Sequence, residues 1–184
     1  MAIAGTKIIS HSYGERNGLL TKSLWGNGWE ISYSYDSMDR LTGVTAKKDG
    51  TSYPLYTQAY NRQGLIYRYV DQQESGRSCT YGYDLTGRLC EAVFDDGTAY
   101  TYTYDANDCL VKEHHTIPGG SREVIRAYDK DSRETSVTCG SAKVEKAFDE
   151  LGRLSSIKRN GGKHVTEFTY GAAPDGGASV SAYA

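Results

Sequence analysis

The sequence has few prolines, few phenylalanines and no long apolar stretch. Only 3 of its 184 residues are proline and 3 are phenylalanine. No run approaches the roughly 18 apolar residues of a membrane-spanning helix, and the first residues, MAIAGTKIIS, lack the charged start and apolar segment of a signal peptide. We therefore expect no membrane span and no signal peptide.

Charge and cysteine are equally uninformative about partners. The formal net charge of −2 provides no basic surface for nucleic acid or anionic membrane. The four cysteines fit neither a C-x-x-C metal or redox spacing nor the density of a disulfide scaffold, so we expect free thiols at Cys79, Cys90, Cys109 and Cys139.

Motifs for catalysis are missing as well. The chain has no Walker-type or dinucleotide glycine fingerprint and no nucleophile elbow. His114 and His115 are neighbours, which point to opposite faces of a strand, so they do not form a metal site together. Asp95 and Asp96 could supply a carboxylate pair, but Asp96 is explained by a turn with Gly97. We predict no catalytic residue, no metal site, no cofactor and no enzyme activity.

Tyrosine and glycine are abundant, with 16 and 21 copies. In the stretch TAYTYTYD, from Thr98 to Asp105, tyrosine occupies every second position. Successive side chains of a strand point to opposite faces, so Tyr100, Tyr102 and Tyr104 share one face. The stretch follows Asp96-Gly97, a favoured turn pair, and therefore predicts the second arm of a β-hairpin.

The aromatic residue followed by Asp, Asn or Gly recurs along the whole chain. The mean interval is 22.4 residues, and the copies are Tyr13-Gly14, Tyr35-Asp36, Tyr60-Asn61, Tyr83-Asp84, Tyr104-Asp105, Tyr128-Asp129, Phe148-Asp149 and Tyr170-Gly171. The period predicts a single array in residues 1–184, with about seven repeats over roughly 9–175 and no separate second domain.

Each repeat contains a second turn signal about midway. These pairs are Asn27-Gly28, Asp49-Gly50, Ser75-Gly76, Asp96-Gly97, Gly119-Gly120, Cys139-Gly140 and Gly161-Gly162. Two turns per repeat predict two strands per repeat, or about 14 strands. The turn aromatic and the residues two and four positions before it form one face, which we call the tyrosine face. The opposite face is mostly small and polar, as in an antiparallel sheet covered on one side.

The turn after each aromatic, here called the YD turn, has its own chemistry. In YDLTGRL, Asp84 can accept backbone hydrogen bonds, Gly87 tolerates a left-handed φ, and Arg88 can bind the turn carboxylate or carbonyls. The residues that we assign to this structural motif are Tyr35, Asp36, Arg40, Tyr83, Asp84, Gly87, Arg88, Tyr104, Asp105, Tyr128, Asp129, Arg133, Phe148, Asp149, Gly152 and Arg153.

These patterns predict an all-β fold, an antiparallel β-hairpin repeat array. Twisted sheets rarely exceed about ten strands without curling, so a curled sheet, an open barrel or a spiral wall is expected. A propeller is the alternative, because two repeats have the length of one four-stranded blade. The nearly constant YD turn favours continuous pairing from repeat to repeat over separate blades.

The segments YDSMDRLTGV, YDLTGRLCEAV, YDANDCL and FDELGRLSSI resemble the YD repeats of the Rhs (rearrangement hotspot) family. Relatives of that family include the shell subunits of insecticidal toxin complexes and the teneurins. The resemblance implies a wall of hairpins that encloses a polypeptide such as a toxin, in a secreted or cell-surface bacterial protein. The family's Asp-Pro autoproteolytic segment has no counterpart, because Pro54, Pro118 and Pro174 follow Tyr53, Ile117 and Ala173.

We therefore expect a non-enzymatic structural segment whose partners are further YD repeats of a larger chain, other copies bound through open strand edges, or a polypeptide cargo. The alternative is a carbohydrate-binding or adhesive surface module. Its rings would stack on sugars, and the candidates are Trp25, Trp29, Tyr100 and Tyr102.

Overall fold

The computed structural model describes residues 9–73, 76–172 and 178–183, with backbone only for 172 and 178–183. Every regular element in these residues is a β-strand. The chain divides into two compact units, Met1–Gly97 and Thr98–Ala184. The described part of the chain holds no helix long and apolar enough to cross a membrane.

The first unit contains eight strands, each ending where an expected turn begins. They are β1 (Ile9–Tyr13), β2 (Leu20–Trp25), β3 (Glu30–Tyr35), β4 (Leu41–Lys48), β5 (Thr51–Tyr60), β6 (Ile66–Asp71), β7 (Ser78–Tyr83) and β8 (Leu89–Phe94). The odd-numbered strands end on the turn aromatic, and the even-numbered ones begin after the YD turn.

The second unit repeats the same plan. Its strands are β9 (Ala99–Tyr104), β10 (Leu110–Ile117), β11 (Gly120–Tyr128), β12 (Glu134–Cys139), β13 (Ala142–Phe148), β14 (Leu154–Arg159), β15 (His164–Ala172) and β16 (Ala178–Tyr183). Fourteen of the 16 strands lie between the first and last turn aromatics, as predicted, and β1 and β16 flank them. The expected turn at Tyr170-Gly171 is wrong, because β15 continues to Ala172.

Within each unit, strands pair antiparallel in chain order without a crossover. The pairings between β4 and β5 and between β12 and β13 join the last strand of one block of four strands to the first strand of the next, where a propeller would have a boundary between blades. Because ladders continue from repeat to repeat, the propeller alternative is wrong for both units. The all-β antiparallel hairpin array is confirmed, and its curvature stays a prediction.

The hydrophobic core is thin. Among the described residues no large side chain falls below 2% exposure, and the buried apolar residues are Val44, Ala46, Cys79, Ala92 and Val124. Most of these are small, and four of the five lie directly opposite tyrosines, in the pairs Val44 with Tyr33, Ala46 with Tyr53, Cys79 with Tyr69 and Ala92 with Tyr81. A ring can lie over a small partner, and each such cross-strand pair contributes about 0.2 to 1 kcal/mol.

Both residues of a midway turn pair tolerate positive φ, but not every pair uses it at both positions. At Asp96-Gly97 only the glycine does, with φ 85°, and Gly97 N donates to Phe94 O at 3.2 Å. This is typical of a longer hairpin loop that ends on a left-handed glycine. At Asp49-Gly50 both residues are left-handed, with φ 50° and 82°.

Candidate functional site: the inter-repeat latches and the tyrosine face

The turn carboxylate organises each YD turn. Its Oδ1 accepts hydrogen bonds from the backbone N–H groups two and four residues later, at 2.8 to 3.0 Å. This holds for the side chains of Asp36, Asp84, Asp105, Asp129 and Asp149. Asn61 does the same with its amide oxygen. In these six turns the acceptor can thus be a charged carboxylate or a neutral amide oxygen.

The third residue after the carboxylate takes a left-handed conformation, as the motif predicts. Gly87 has φ 86° and Gly152 has φ 77°, while Asp39 and Asp108 reach 61° and 64°. Ser132 also adopts φ 59°, which the sequence pattern does not anticipate. Only glycine does so without steric cost, so the aspartate and serine turns carry some backbone strain.

An arginine closes four of the turns. Its Nε donates to Oδ2 of the turn aspartate at 2.7 to 2.8 Å, in the pairs Arg40–Asp36, Arg88–Asp84, Arg133–Asp129 and Arg153–Asp149. Cys109 occupies the arginine position in the turn of Asp105. The ion pairs have a structural role, because donor and acceptor belong to the same turn.

These hydrogen bonds lower the pKa of four turn carboxylates, those of Asp36, Asp84, Asp129 and Asp149. For Asp36 the largest cause is the hydrogen bond from the Arg40 side chain, and for Asp84 it is the Thr86 hydroxyl, followed among the lowering causes by Arg88. Burial opposes the effect at Asp129 and Asp149, but the backbone and side chain of Arg133 and Arg153 outweigh it. The carboxylates are therefore charged across the neutral and mildly acidic range.

The same arginine also contacts the next repeat, which the sequence does not reveal. Its guanidinium lies over the following turn aromatic, 4.6 Å from the ring centroid for Arg40 and Tyr60 and 4.3 Å for Arg153 and Tyr170. Arg133 lies 4.9 Å from the ring of Phe148. A guanidinium on an aromatic face is worth about 0.5 to 1 kcal/mol at exposed sites.

The hydroxyl of that next tyrosine points back to the previous repeat. It donates to the carbonyl of the first residue of the return strand, at 2.7 to 2.9 Å, in the pairs Tyr35–Leu20, Tyr60–Leu41, Tyr83–Ile66, Tyr128–Leu110 and Tyr170–Leu154. We call this hydroxyl-to-carbonyl bond, together with the arginine where one is present, an inter-repeat latch.

A β-bulge places the carbonyl of the latch. At every YD turn the pairing shifts by one residue next to the aromatic, as where Tyr35 opposes Leu41 but Ser34 opposes Gly43. The same shift occurs at the other turns. A bulge leaves one residue outside the ladder, and the tyrosine hydroxyl bonds to the carbonyl beside it. The preference for 16 tyrosines over 3 phenylalanines was the only sequence signal of this bond.

Phe148 is the exception. It packs under Arg133 and follows the strand that begins at Glu134, but it has no hydroxyl to donate to the Glu134 carbonyl. Glu134 instead uses its side chain, which accepts from Lys146 Nζ at 2.6 Å and from Arg126 Nε at 3.4 Å. Arg126 Nη1 also forms an ion pair with Glu113 Oε1 at 3.3 Å. Charged side chains thus replace tyrosines on this part of the tyrosine face. We call Glu113, Arg126, Glu134 and Lys146 the charged row.

The rings that could stack on a ligand are partly occupied. Trp29 packs on Tyr53 with ring centroids 5.7 Å apart and receives Lys48 Nζ at 5.5 Å. Trp25 is 45% exposed, beside a shallow cavity of about 270 Å³. Tyr100 and Tyr102 are half-buried in β9, while the threonines between them are exposed. Sugar stacking stays a prediction, for which Trp25 is the most accessible ring.

The histidine and aspartate pairs are in contact with neighbouring side chains. His114 lies 3.9 Å from Glu123, and His115 lies 3.5 Å from Glu113, on opposite faces of β10. Asp95 accepts from the backbone and hydroxyl of Ser78, and Asp96 pairs with Arg77. Within the described ranges no group of three or more His, Cys, Asp or Glu side chains could hold a metal ion.

Comparison with solved structures finds the same architecture in toxin complexes. The Tc holotoxin pore of Photorhabdus luminescens, in a form with a TccC3 mutation, matches with a TM-score of 0.72 and 14% identity over 94% of this chain and 10% of that chain. The TcdB2-TccC3 crystal structure matches with a TM-score of 0.54 and 13% identity over 95% of this chain and 12% of that chain. This chain thus spans about a tenth of the structures that it matches.

No protein-family model and no curated protein sequence gives a match. At 13 to 14% identity, the likeness to solved structures shows the fold alone. The bulged YD turns and the hairpin array agree with it. The fold of the chain is therefore consistent with an Rhs-type YD-repeat segment, as the motif predicts.

Proposed function

We propose that this chain is a non-enzymatic wall segment of a larger YD-repeat shell, which scaffolds or encloses a polypeptide such as a toxin. The observation that carries the proposal is the use of the motif side chains. Where the motif is complete, Asp36 binds Arg40, Arg40 covers the ring of Tyr60 in the next repeat, and the Tyr60 hydroxyl donates to the carbonyl of Leu41. The Asp, Arg and Tyr residues of the motif thus connect neighbouring repeats, as expected for a scaffold.

The tyrosine face supplies a surface for an enclosed chain. It is half-buried, amphipathic and one layer thick, so it offers rings and hydroxyls to an extended polypeptide without a deep, selective pocket. The likeness to parts of Tc holotoxin and TcdB2-TccC3 chains supports the same role. On this proposal the parent protein is secreted or cell-surface bacterial, and this segment is continuous with further repeats.

Binding of an unfolded polypeptide tests the proposal. We would titrate fluorescently labelled, reduced and alkylated lysozyme with the chain and follow anisotropy. Saturable binding that is weakened by Tyr33→Ser, on the tyrosine face, is expected. The matched control is Ile125→Ser, because Ile125 is 47% exposed on the opposite face and its loss should not matter. Equal effects of the two substitutions, or no binding, would contradict the proposed wall.

The carbohydrate-binding alternative rests on the exposure of Trp25. A glycan array distinguishes it from the wall. Saturable binding of a defined sugar, lost in Trp25→Ala and retained in Trp29→Ala, would favour the adhesive module, because Trp29 is already covered by Tyr53 and Lys48. A wall segment gives no such selectivity.

A further inference from the structure

A cavity of about 370 Å³ opens on the tyrosine face of the second unit. Its walls come from the start of β9, the end of β10 and the start of β11, and its lining residues are Tyr100, His115, Ile117, Gly120, Ser121 and Arg122. Volumes above about 300 Å³ are in the range of small-molecule sites. None of these residues belongs to a latch or to the charged row.

The strand register places the chemical groups on one face. Tyr100 opposes His115, His115 opposes Arg122, and Ile117 opposes Gly120. Arg122 and the buried Val124 are two residues apart in β11, so they point to the same side. The cavity therefore faces the side of the sheet that carries the tyrosines.

A guanidinium is the cationic group of the cavity. Arg122 Nη2 donates to His115 Nδ1 at 3.1 Å. Because arginine can only donate, Nδ1 accepts, and the imidazole proton lies on Nε2, which is 3.5 Å from Glu113. The other N–H groups of Arg122 have no partner among the described residues, so they can fork onto an incoming carboxylate.

The remaining walls are apolar or open. The Tyr100 ring meets the His115 ring edge to face, with centroids 4.9 Å apart, and Ile117 is 53% exposed. A Cβ built on Gly120 would meet nothing within 4 Å, and the φ of Gly120 is not positive. The glycine thus leaves space that a larger side chain would fill without backbone strain.

We propose that this cavity binds a carboxylate joined to an apolar group. The Arg122 fork takes the carboxylate, and Tyr100 and Ile117 contact the apolar part. Glu113, close to His115, disfavours a doubly charged phosphate more than a singly charged carboxylate. If the proposed wall function holds, on which this step rests, the occupant is an acidic residue next to an apolar one in the enclosed polypeptide.

The test uses the full chain with two small probes, 3-phenylpropionate and its uncharged amide. Amide chemical shifts of the cavity residues report binding. We expect saturable binding of the acid that is about tenfold or more tighter than that of the amide, because charge-assisted hydrogen bonds are lost in the amide. Arg122→Gln should weaken binding of the acid by a similar factor. Arg62 is an exposed arginine elsewhere in the chain, so Arg62→Gln should leave binding of the acid unchanged.

Gly120→Leu provides a second variant that leaves Arg122 intact. It should fill the cavity and abolish binding, while circular dichroism shows an unchanged fold. Equal affinity for acid and amide, or full binding to Gly120→Leu, would overturn the proposal. Tighter binding of glucuronate than of phenylpropionate would also overturn it and indicate an acidic-sugar site. Loss of lysozyme binding with phenylpropionate binding retained would instead overturn the wall function alone.

Discussion

The inter-repeat latch gives a sharp prediction at Tyr35, because the chain contains its own control. The Tyr35 hydroxyl donates to Leu20 O at 2.8 Å, across the boundary between two repeats. Tyr33 lies two residues earlier on the same face of the same strand, and its hydroxyl makes no hydrogen bond within the described residues. The substitutions Tyr35→Phe and Tyr33→Phe remove the same atom, but only the first removes a latch.

The expected cost follows from the fate of the carbonyl. A typical hydrogen bond contributes about 0.5 to 1.5 kcal/mol net, and a buried carbonyl left unsatisfied costs up to about 3. Leu20 is half-buried, so water can partly replace the hydroxyl. We therefore expect Tyr35→Phe to lower the free energy of unfolding by about 1 kcal/mol, or the Tm by about 2 to 4 °C for a chain of this size.

Urea unfolding and scanning calorimetry measure the effect. Tyr33→Phe should change stability by less than about 0.5 kcal/mol, as surface substitutions do. If the two variants have the same midpoint, the hydroxyl-to-carbonyl bond does not stabilise the array, and tyrosine is used for another reason. A large change in both would indicate that ring hydration, rather than the latch, determines the result.

Three further predictions concern the motif. Phe148→Tyr should raise the Tm by about 2 to 4 °C, because its hydroxyl can donate to the Glu134 carbonyl; an unchanged or lower Tm contradicts this. Gly87→Val should cost about 1 to 3 kcal/mol because φ is 86° there, whereas Gly120→Val, without positive φ, should cost much less; equal midpoints in urea would refute the turn assignment. Because the folded pKa of Asp84 is lowered, its stabilisation is complete above the unfolded pKa of about 4 and is lost as pH falls toward the folded pKa. Asp84→Asn should therefore show a smaller Tm decrease between pH 7 and pH 3 than the parent chain, and an identical decrease would exclude this linkage.

Local features of the fold were predictable because their causes are local. The Asp84 side chain reaches N–H groups only two and four residues away, and Gly87 adopts its left-handed φ within the same turn. The alternation of tyrosine and threonine in β9 likewise fixes which residues are half-buried. Such patterns require no knowledge of the neighbouring repeat.

Contacts between repeats were not predictable from the sequence pattern. The bond from Tyr83 to Ile66 depends on a bulge in one hairpin and on the register of the next. The cavity at Arg122 depends on how three strand ends meet. Neither register nor bulge position is specified by hydrophobic alternation, which fixes only the face of a side chain. The predicted association through open edges also concerns other chains and stays a prediction.

The latch explains how a one-layer sheet can be stable without a thick core. Each YD turn offers a carbonyl beside its bulge to the next aromatic, and four turns add an arginine, as Arg40 and Leu41 do for Tyr60. Each aromatic then precedes a turn with a carbonyl of the same kind. Stability therefore increases by one interface for each added repeat, as in other repeat arrays. An array of any length can be built in this way, and we expect a change at one latch, such as Phe148 in place of tyrosine, to alter the strength of that interface without altering the fold of the others.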